Sequence, residues 1–295
     1  MNKSLLDLSG KIDPSIVEIL QTIADVAGQN KIKFFVVGAW ARDLVLSLEH
    51  GLQSRRMTED LDLGVQVSDW QQYQQLVDGL IATGNFHAEN RQHQRISYKD
   101  GFPVDIIPFG SLGDEDDNIS WPPDHDIQIN VMGFNEAYDH AQLVRLKGEP
   151  ELDIRVVNPA GLTLLKLIAW RTGNPQRQQK DAADLAFIIS IYTDAGNEER
   201  LYSDFSDVLE KYDFDTELAG AYLLGLDISQ IGKRSTLNFV IETLNQETGD
   251  DSNFNLVHDM IRNRMDTDKL FDRALNALTA LKEGVGTGLS DLKKH

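Results

Sequence analysis

Two apolar runs, one broken by Gly38-Ala39 and one interrupted by Asp60 and Asp62, constrain this chain more than any other feature. Phe34-Phe35-Val36-Val37 is short, aromatic and β-branched, the make-up of a buried strand. Gly38-Ala39 ends it, and Trp40-Ala41-Arg42-Asp43-Leu44-Val45-Leu46 follows with helical spacing. A polar, basic link from Gln53 to Thr58 then leads into Glu59-Asp60-Leu61-Asp62-Leu63-Gly64-Val65. A period of two puts both aspartates on one face of that strand, with Leu61, Leu63 and Val65 on the other.

Adjacent carboxylates repel unless a cation lies between them. Mg²⁺ takes oxygen ligands, keeps some waters and is commonly held by one or two carboxylates plus substrate phosphates. The strand, small residues and helix upstream offer backbone N–H groups at a helix N-terminus, which suits an anion. A phosphate cradle followed by a metal-binding pair equips a chain for nucleotidyl or phosphoryl transfer. A solvated strand end carries aspartate just as readily, so a third carboxylate matters. Asp105 sits inside the apolar run Phe102-Pro103-Val104-Asp105-Ile106-Ile107-Pro108-Phe109 and needs a partner there. A loop cap or a salt bridge to an arginine would serve. A third metal ligand on a neighbouring strand accounts better for all three acids together.

The remaining pattern frames this core. Pro14 to Ala27 is an amphipathic helix, with Ile16, Leu20, Ile23 and Ala27 on one face, Asp13 as cap and Gly28 as stop. Ser68-Asp69-Trp70 opens another that ends at Gly84, and Arg95 to Tyr98 reads as a strand. Gly110 to Asp126 reads as a solvated acidic loop pinned by Trp121-Pro122-Pro123. Ile127 to Phe134, Leu143 to Leu146 and Ile154 to Val157 are strand candidates to complete the sheet. Past Asn158-Pro159 every pattern is helical, with Glu283 to His295 expected as a frayed tail. The expected architecture is an α/β (α+β) N-terminal domain with a mixed sheet, residues 1–157, and an all-helical C-terminal domain, residues 158–295.

Composition excludes more than it assigns. With no cysteine there are no disulfides or thiolate metal sites. No apolar run reaches membrane-spanning length, and the N-terminus lacks a signal-peptide core, so a soluble cytoplasmic protein is expected. The net charge of −19 opposes bulk attraction to nucleic acid, though a local basic strip could still carry a strand end.

A second cluster lies in the helical part. Lys166 sits on an apolar helix flank and must reach water or an anion. Asp181 and Asp184, at i and i+3, share a face of a helix opened by Gln179-Lys180. First-turn acids paired with Lys166 are the plainer account. A lysine holding phosphate as a point charge is the functional one.

Gly38-Ala39-Trp40-Ala41-Arg42-Asp43, Arg56-Met57-Thr58-Glu59-Asp60-Leu61-Asp62-Leu63 and Val104-Asp105 together resemble the DNA polymerase β-type nucleotidyltransferase superfamily. Lys166, Arg171, Lys180-Asp181 and Asp184-Leu185 resemble more narrowly the AbiEii group, toxins of type IV toxin–antitoxin and phage-defence systems that include the MenT toxins. The resemblance spans about Lys33 to Ile189. It implies transfer of NMP from an NTP, with Asp60 and Asp62 holding Mg²⁺ (two ions expected, Mn²⁺ a substitute). Asp105 would be the third ligand and activate the attacking hydroxyl. Gly38 and Ala39 would cradle the phosphates, supported by Arg42, Arg56 and Thr58, while Lys166 and Asp181 would bind nucleotide and position the reaction. Ala39 departs from the Gly or Ser that the superfamily prefers, and its methyl narrows the approach of phosphate. The implied partners are tRNA or another RNA as acceptor and a cognate antitoxin protein. Arg55, Arg56, Arg91, His93 and Arg95 could form the acceptor's basic strip, though a solvated face explains them as well. Transfer to a small molecule or protein, nucleotide or antitoxin binding without catalysis, and an RNA-binding module remain the competing readings.

Overall fold

The computed structural model describes residues 5–52, 60–89, 93–99, 101–123, 125, 128–262 and 267–291. The chain forms two compact units, Met1–Asn158 and Pro159–His295.

The first unit runs β1 (Leu6–Asp7), α1 (Pro14–Gln29), β2 (Lys33–Val37), α2 (Gly38–Arg42) continuing as a π-helical turn (Asp43–Leu48), β3 (Leu61–Val67) and α3 (Trp70–Ala82). Then come β4 (Phe86–Ala88), β5 (Arg95–Tyr98), β6 (Phe102–Gly110), β7 (Asn118–Ser120), β8 (Gln128–Asn130), α4 (Phe134–Asp139), β9 (Gln142–Lys147) and β10 (Leu152–Val156). Eight strands make one mixed sheet in the order β1-β9-β10-β2-β3-β6-β5-β4. Its centre is β3, antiparallel to β2 and parallel to β6. The helices start where local chemistry allows: Asp13 accepts from the Ser15 N–H ahead of Pro14, and Asp69 from the Gln72 N–H.

Period-two burial holds along β3, where Leu61, Leu63 and Val65 are fully buried while Asp62 is half-buried. Further along the sheet Phe35 packs edge to face on Phe109, Phe134 and Tyr138, and Phe109 packs tilted on Phe134 and Tyr138, with centroids 5.5–6.2 Å apart. Each such aromatic pair contributes roughly 0.5–1.5 kcal/mol beyond its buried area. This links β2 and β6, the strands on either side of β3, to α4.

Five expectations about these elements are corrected. Ile127 to Phe134 does not complete the main sheet: its described strand, β8, pairs with β7 in a separate two-stranded sheet, and Phe134 begins α4. Gly110 to Asp126 is not simply a solvated loop, since it contains the strand β7. The expected pin is there, with Trp121 buried against Trp70 and Tyr73. The strands β1 and β4 and the short α4 are too brief to leave a periodic signal.

The second unit holds α5 (Pro159–Thr172), α6 (Pro175–Ile191), α7 (Glu198–Ser203), α8 (Ser206–Lys211), α9 (Thr216–Ile231), α10 (Arg234–Thr248), α11 (Asn255–Ile261) and α12 (Thr267–Asp291). The helix carrying Asp181 begins at Pro175 rather than Gln179, because Asn174 caps it by accepting from the Arg177 N–H. The stretch from Glu198 to Tyr212 is two short helices instead of one. The frayed tail is overturned as far as Asp291: α12 runs to that residue, with Val285 fully buried. Glycines explain this. A Cβ on Gly284 would lie 2.0 Å from the Tyr222 carbonyl oxygen, and one on Gly225 would lie 2.2 Å from that of Leu281. Only glycines let α9 and α12 come so close, and the poor helix propensity that suggested fraying is overruled by packing.

Candidate active site

Strand register builds the site. Val37 on β2 pairs with Asp62 on β3, Asp62 with Asp105 on β6, and Asp105 with Arg95 on β5. Residues opposite one another on neighbouring strands share a face, so this row sets Asp62, Asp105 and Arg95 side by side. Asp60 lies two residues before Asp62 and joins the same face. Carboxylate oxygens of Asp60, Asp62 and Asp105 come within 4.8 Å of one another.

Gly38 closes the row from the β2 side. Its φ of +68° is a left-handed conformation that favours glycine, and a Cβ there would sit 2.0 Å from Asp62 Oδ2. The glycine therefore makes room for the carboxylate, a role distinct from the phosphate contact that the motif implies. Ala39 follows, half-buried, in the first turn of α2. Arg42 is buried, and its guanidinium pairs with Asp43 at 2.8 Å.

Arg95 supplies the salt bridge that the sequence offered as one account of Asp105. Its Nε donates to Asp105 Oδ1 at 2.6 Å and its Nη2 to Asp105 Oδ2 at 2.8 Å, a two-pronged grip on one carboxylate. The same Nη2 reaches Asp60 Oδ2 at 3.3 Å. The hydrogen bonds to Asp105, and then the charges of Asp105, Asp60 and Asp62, hold this guanidinium's pKa above its ordinary value against the cost of burial. Arg95 thus faces the acids rather than standing as a free surface charge. His93 is exposed, while Arg55, Arg56, Thr58 and Arg91 lie outside the described residues. A signal for Arg95 existed: Gly101 marks a hairpin between the two strand runs, and a three-residue loop pairs Tyr98 with Phe102 and so Arg95 with Asp105.

In the helical unit, Lys166 on α5 faces Asp181 and Asp184 on α6, its Nζ 2.7 Å and 2.8 Å from their carboxylate oxygens. The turn Gly173-Asn174-Pro175 makes the two helices neighbours. All three side chains are largely buried. Burial alone would lower the Lys166 pKa, but the charges of Asp184 and Asp181 and their hydrogen bonds raise it above the ordinary lysine value. The ammonium stays charged.

A family profile described as "Nucleotidyl transferase AbiEii toxin, Type IV TA system" matches residues 7–277. The chain belongs to the AbiEii family. It is a nucleotidyltransferase. No curated protein matches it. Among solved structures it is similar to the antibiotic-resistance factor ANT(2″)-Ia, at 13% identity and a TM-score of 0.36, covering 68% of this chain and 98% of that one. It is also similar to an apo form of a CCA-adding enzyme, at 12% identity and a TM-score of 0.27, covering 96% of this chain and 84% of that one. At those scores the family assignment rests on the sequence profile.

The donor set of this AbiEii chain suits a hard divalent cation. It is all oxygen, it carries three formal negative charges, and it is fixed on adjacent strands. No helix among the described residues is long and apolar enough to cross a membrane.

Proposed function

We propose that this nucleotidyltransferase moves an NMP from an NTP to a hydroxyl of tRNA or another RNA, as the toxin of a type IV toxin–antitoxin pair with a cognate antitoxin. The cytoplasm, where NTP, Mg²⁺ and RNA coexist, is the proposed setting. The convergence of Asp60, Asp62 and Asp105 in a chain of the AbiEii family is the observation that supports this most.

Asp60, Asp62 and Asp105 would hold Mg²⁺, two ions being the proposed number and Mn²⁺ a substitute. When bound, the metal supplies neutralisation of phosphate charge and in-line alignment. The acceptor oxygen attacks the α-phosphorus, the bond to pyrophosphate breaks, and Asp105 takes the proton from the attacking hydroxyl. Gly38 and Ala39 would lie against the phosphates at the start of α2, with Arg42, Arg56 and Thr58 in support. Lys166 and Asp181 are proposed to bind nucleotide and orient it. An ammonium has three donors, and the contacts to Asp181 and Asp184 use two of them.

The test is incubation with each α-³²P-labelled NTP, Mg²⁺ and total RNA, beside an Asp60→Ala/Asp62→Ala variant. Label should enter RNA with the parent chain and fall at least about a thousandfold with the variant, a loss of ~4 kcal/mol of transition-state stabilisation. Label entering a protein or small molecule would replace the RNA acceptor. Nucleotide binding without any transfer would favour a binding protein. Neither binding nor transfer would remove the site.

A further inference from the structure

We propose that Arg95 is the resident counter-ion of the carboxylate triad, its Nη2 standing between Asp60 and Asp105 where a divalent cation would bridge them and swinging out when the ion binds. The inference rests on the metal-binding reading of the triad and deepens it: Arg95 sets the affinity of the site for its metal.

One atom carries the argument. Nη2 lies 3.3 Å from Asp60 Oδ2 and 2.8 Å from Asp105 Oδ2, so it occupies the gap between the two carboxylates. A Mg²⁺ ligated by those same oxygens would sit about 2.1 Å from each and needs that gap. Both cannot hold it.

The surroundings decide which group moves. Asp105 is 5% exposed on the interior strand β6, paired with β3 on one side and β5 on the other, and has nowhere to go. The Arg95 side chain is 25% exposed and that of Asp60 38%, so water reaches the edge of the cluster where Nη2 sits. The Nε bond to Asp105 Oδ1, 2.6 Å long, lies on the far side of the fork and serves as a pivot. A side-chain rotation about it frees the gap without moving β5, whose backbone is held by β4 and β6.

Charge gives the arrangement its purpose. Three carboxylates on adjacent strand positions repel one another unless a cation lies among them. Arg95 leaves a formal charge of −2 on the cluster, which a divalent ion neutralises. Without the metal the guanidinium holds Asp105 and Asp60 in place through its hydrogen bonds. With it, the arginine is a displaced cation whose repulsion weakens metal binding. The site then fills only where divalent ion is plentiful or brought in with a triphosphate.

The experiment is isothermal titration of the full chain with Mn²⁺, comparing the parent, Arg95→Gln and Asp60→Ala/Asp62→Ala. Arg95→Gln should bind Mn²⁺ roughly tenfold or more tightly, because a competing positive charge is gone. Equal or weaker binding would overturn the proposal and make Arg95 a fixed support of Asp105. No Mn²⁺ binding by either the parent or Arg95→Gln would overturn it together with the metal reading. Tighter binding without NMP transfer would sustain it and count against the proposed activity alone. Should Arg95→Gln not fold, ¹⁵N-arginine spectra of the parent answer the same question, with the Arg95 Nε signal assigned by its loss in Arg95→Lys. That signal should shift as Mg²⁺ is added, and a signal unmoved at saturation would overturn the proposal.

Discussion

Among the described residues, the Arg95 and Lys166 clusters each set a single cation against several carboxylates, and they are built to opposite ends. On the strands, Arg95 faces Asp60, Asp62 and Asp105, at the edge of solvent and one cation short by two charges. On the helices, Lys166 faces Asp181 and Asp184 in a largely buried setting, short by one. Surplus negative charge on rigid strands, open to water, is an arrangement that can accept an ion. A buried lysine clasped by two acids is an arrangement that resists change, since each charge depends on the other for its loss of hydration. The difference teaches how burial separates a responsive cluster from a locked one made of the same residue types.

The sharpest way to break this contrast is Lys166→Met. It leaves Asp181 and Asp184, with side chains 10% and 4% exposed, without that cation. A loss of about 3–5 kcal/mol in unfolding free energy is expected by denaturant titration. Adding Asp181→Asn and Asp184→Asn should recover much of it, and no recovery would mean the cluster is not electrostatically locked.

Next in size is Gly38→Ala, which tests the strand cluster. The methyl meets Asp62 Oδ2 at 2.0 Å and the φ of +68° disfavours it, so Asp62 must shift. A displacement of about 1 Å at a reacting centre costs on the order of a hundredfold, so NMP transfer in single-turnover assays should fall by that factor. Unfolding free energy should drop by only about 1–3 kcal/mol.

The smallest effect is one of pH. Tyr73 donates to the backbone oxygen of Ile106, next to Asp105, and burial pushes its hydroxyl up to about 12, with the charge of Asp105 adding to the shift. Its folded pKa lies above the unfolded value near 10. The stability it lends is therefore complete below pH 10 and is lost as pH rises from about 10 to about 12, because the unfolded chain ionises first. That amounts to roughly 2 kcal/mol. Denaturation at pH 9.5, 10.5 and 11.5 (roughly spanning the two values) should show a shallower alkaline decline for Tyr73→Phe than for the parent. Equal slopes would sever Tyr73 from the strand cluster's support.

Much of this was legible because it is local. Alternation along Leu61 to Val67 faced Asp62 one way and the leucines the other, and Asp13 and Asp69 cap helices through bonds to residues two or three away. Lys166 beside Asp181 was within reach of the same reasoning, since a short turn joins their helices. Arg95 was harder. Its positive charge looked like part of a surface strip until the register of β5 on β6 turned it toward Asp105. The tail was misjudged for a related reason: Gly284, Gly286 and Gly288 argue against a helix locally, yet α12 continues through them because Gly284 packs tightly on α9.

By itself the sequence determined the period of each element, the face each acid takes and the family to which the chain belongs. Those follow from backbone geometry over a few residues and from motif identity. Only the tertiary structure decided that Asp60, Asp62 and Asp105 meet within 4.8 Å, that Arg95 is the cation among them, and that α12 stays ordered through its glycines. Each of those depends on which distant segment lies opposite, and strand register or helix contact is set by packing across the whole unit rather than by any neighbour in the chain.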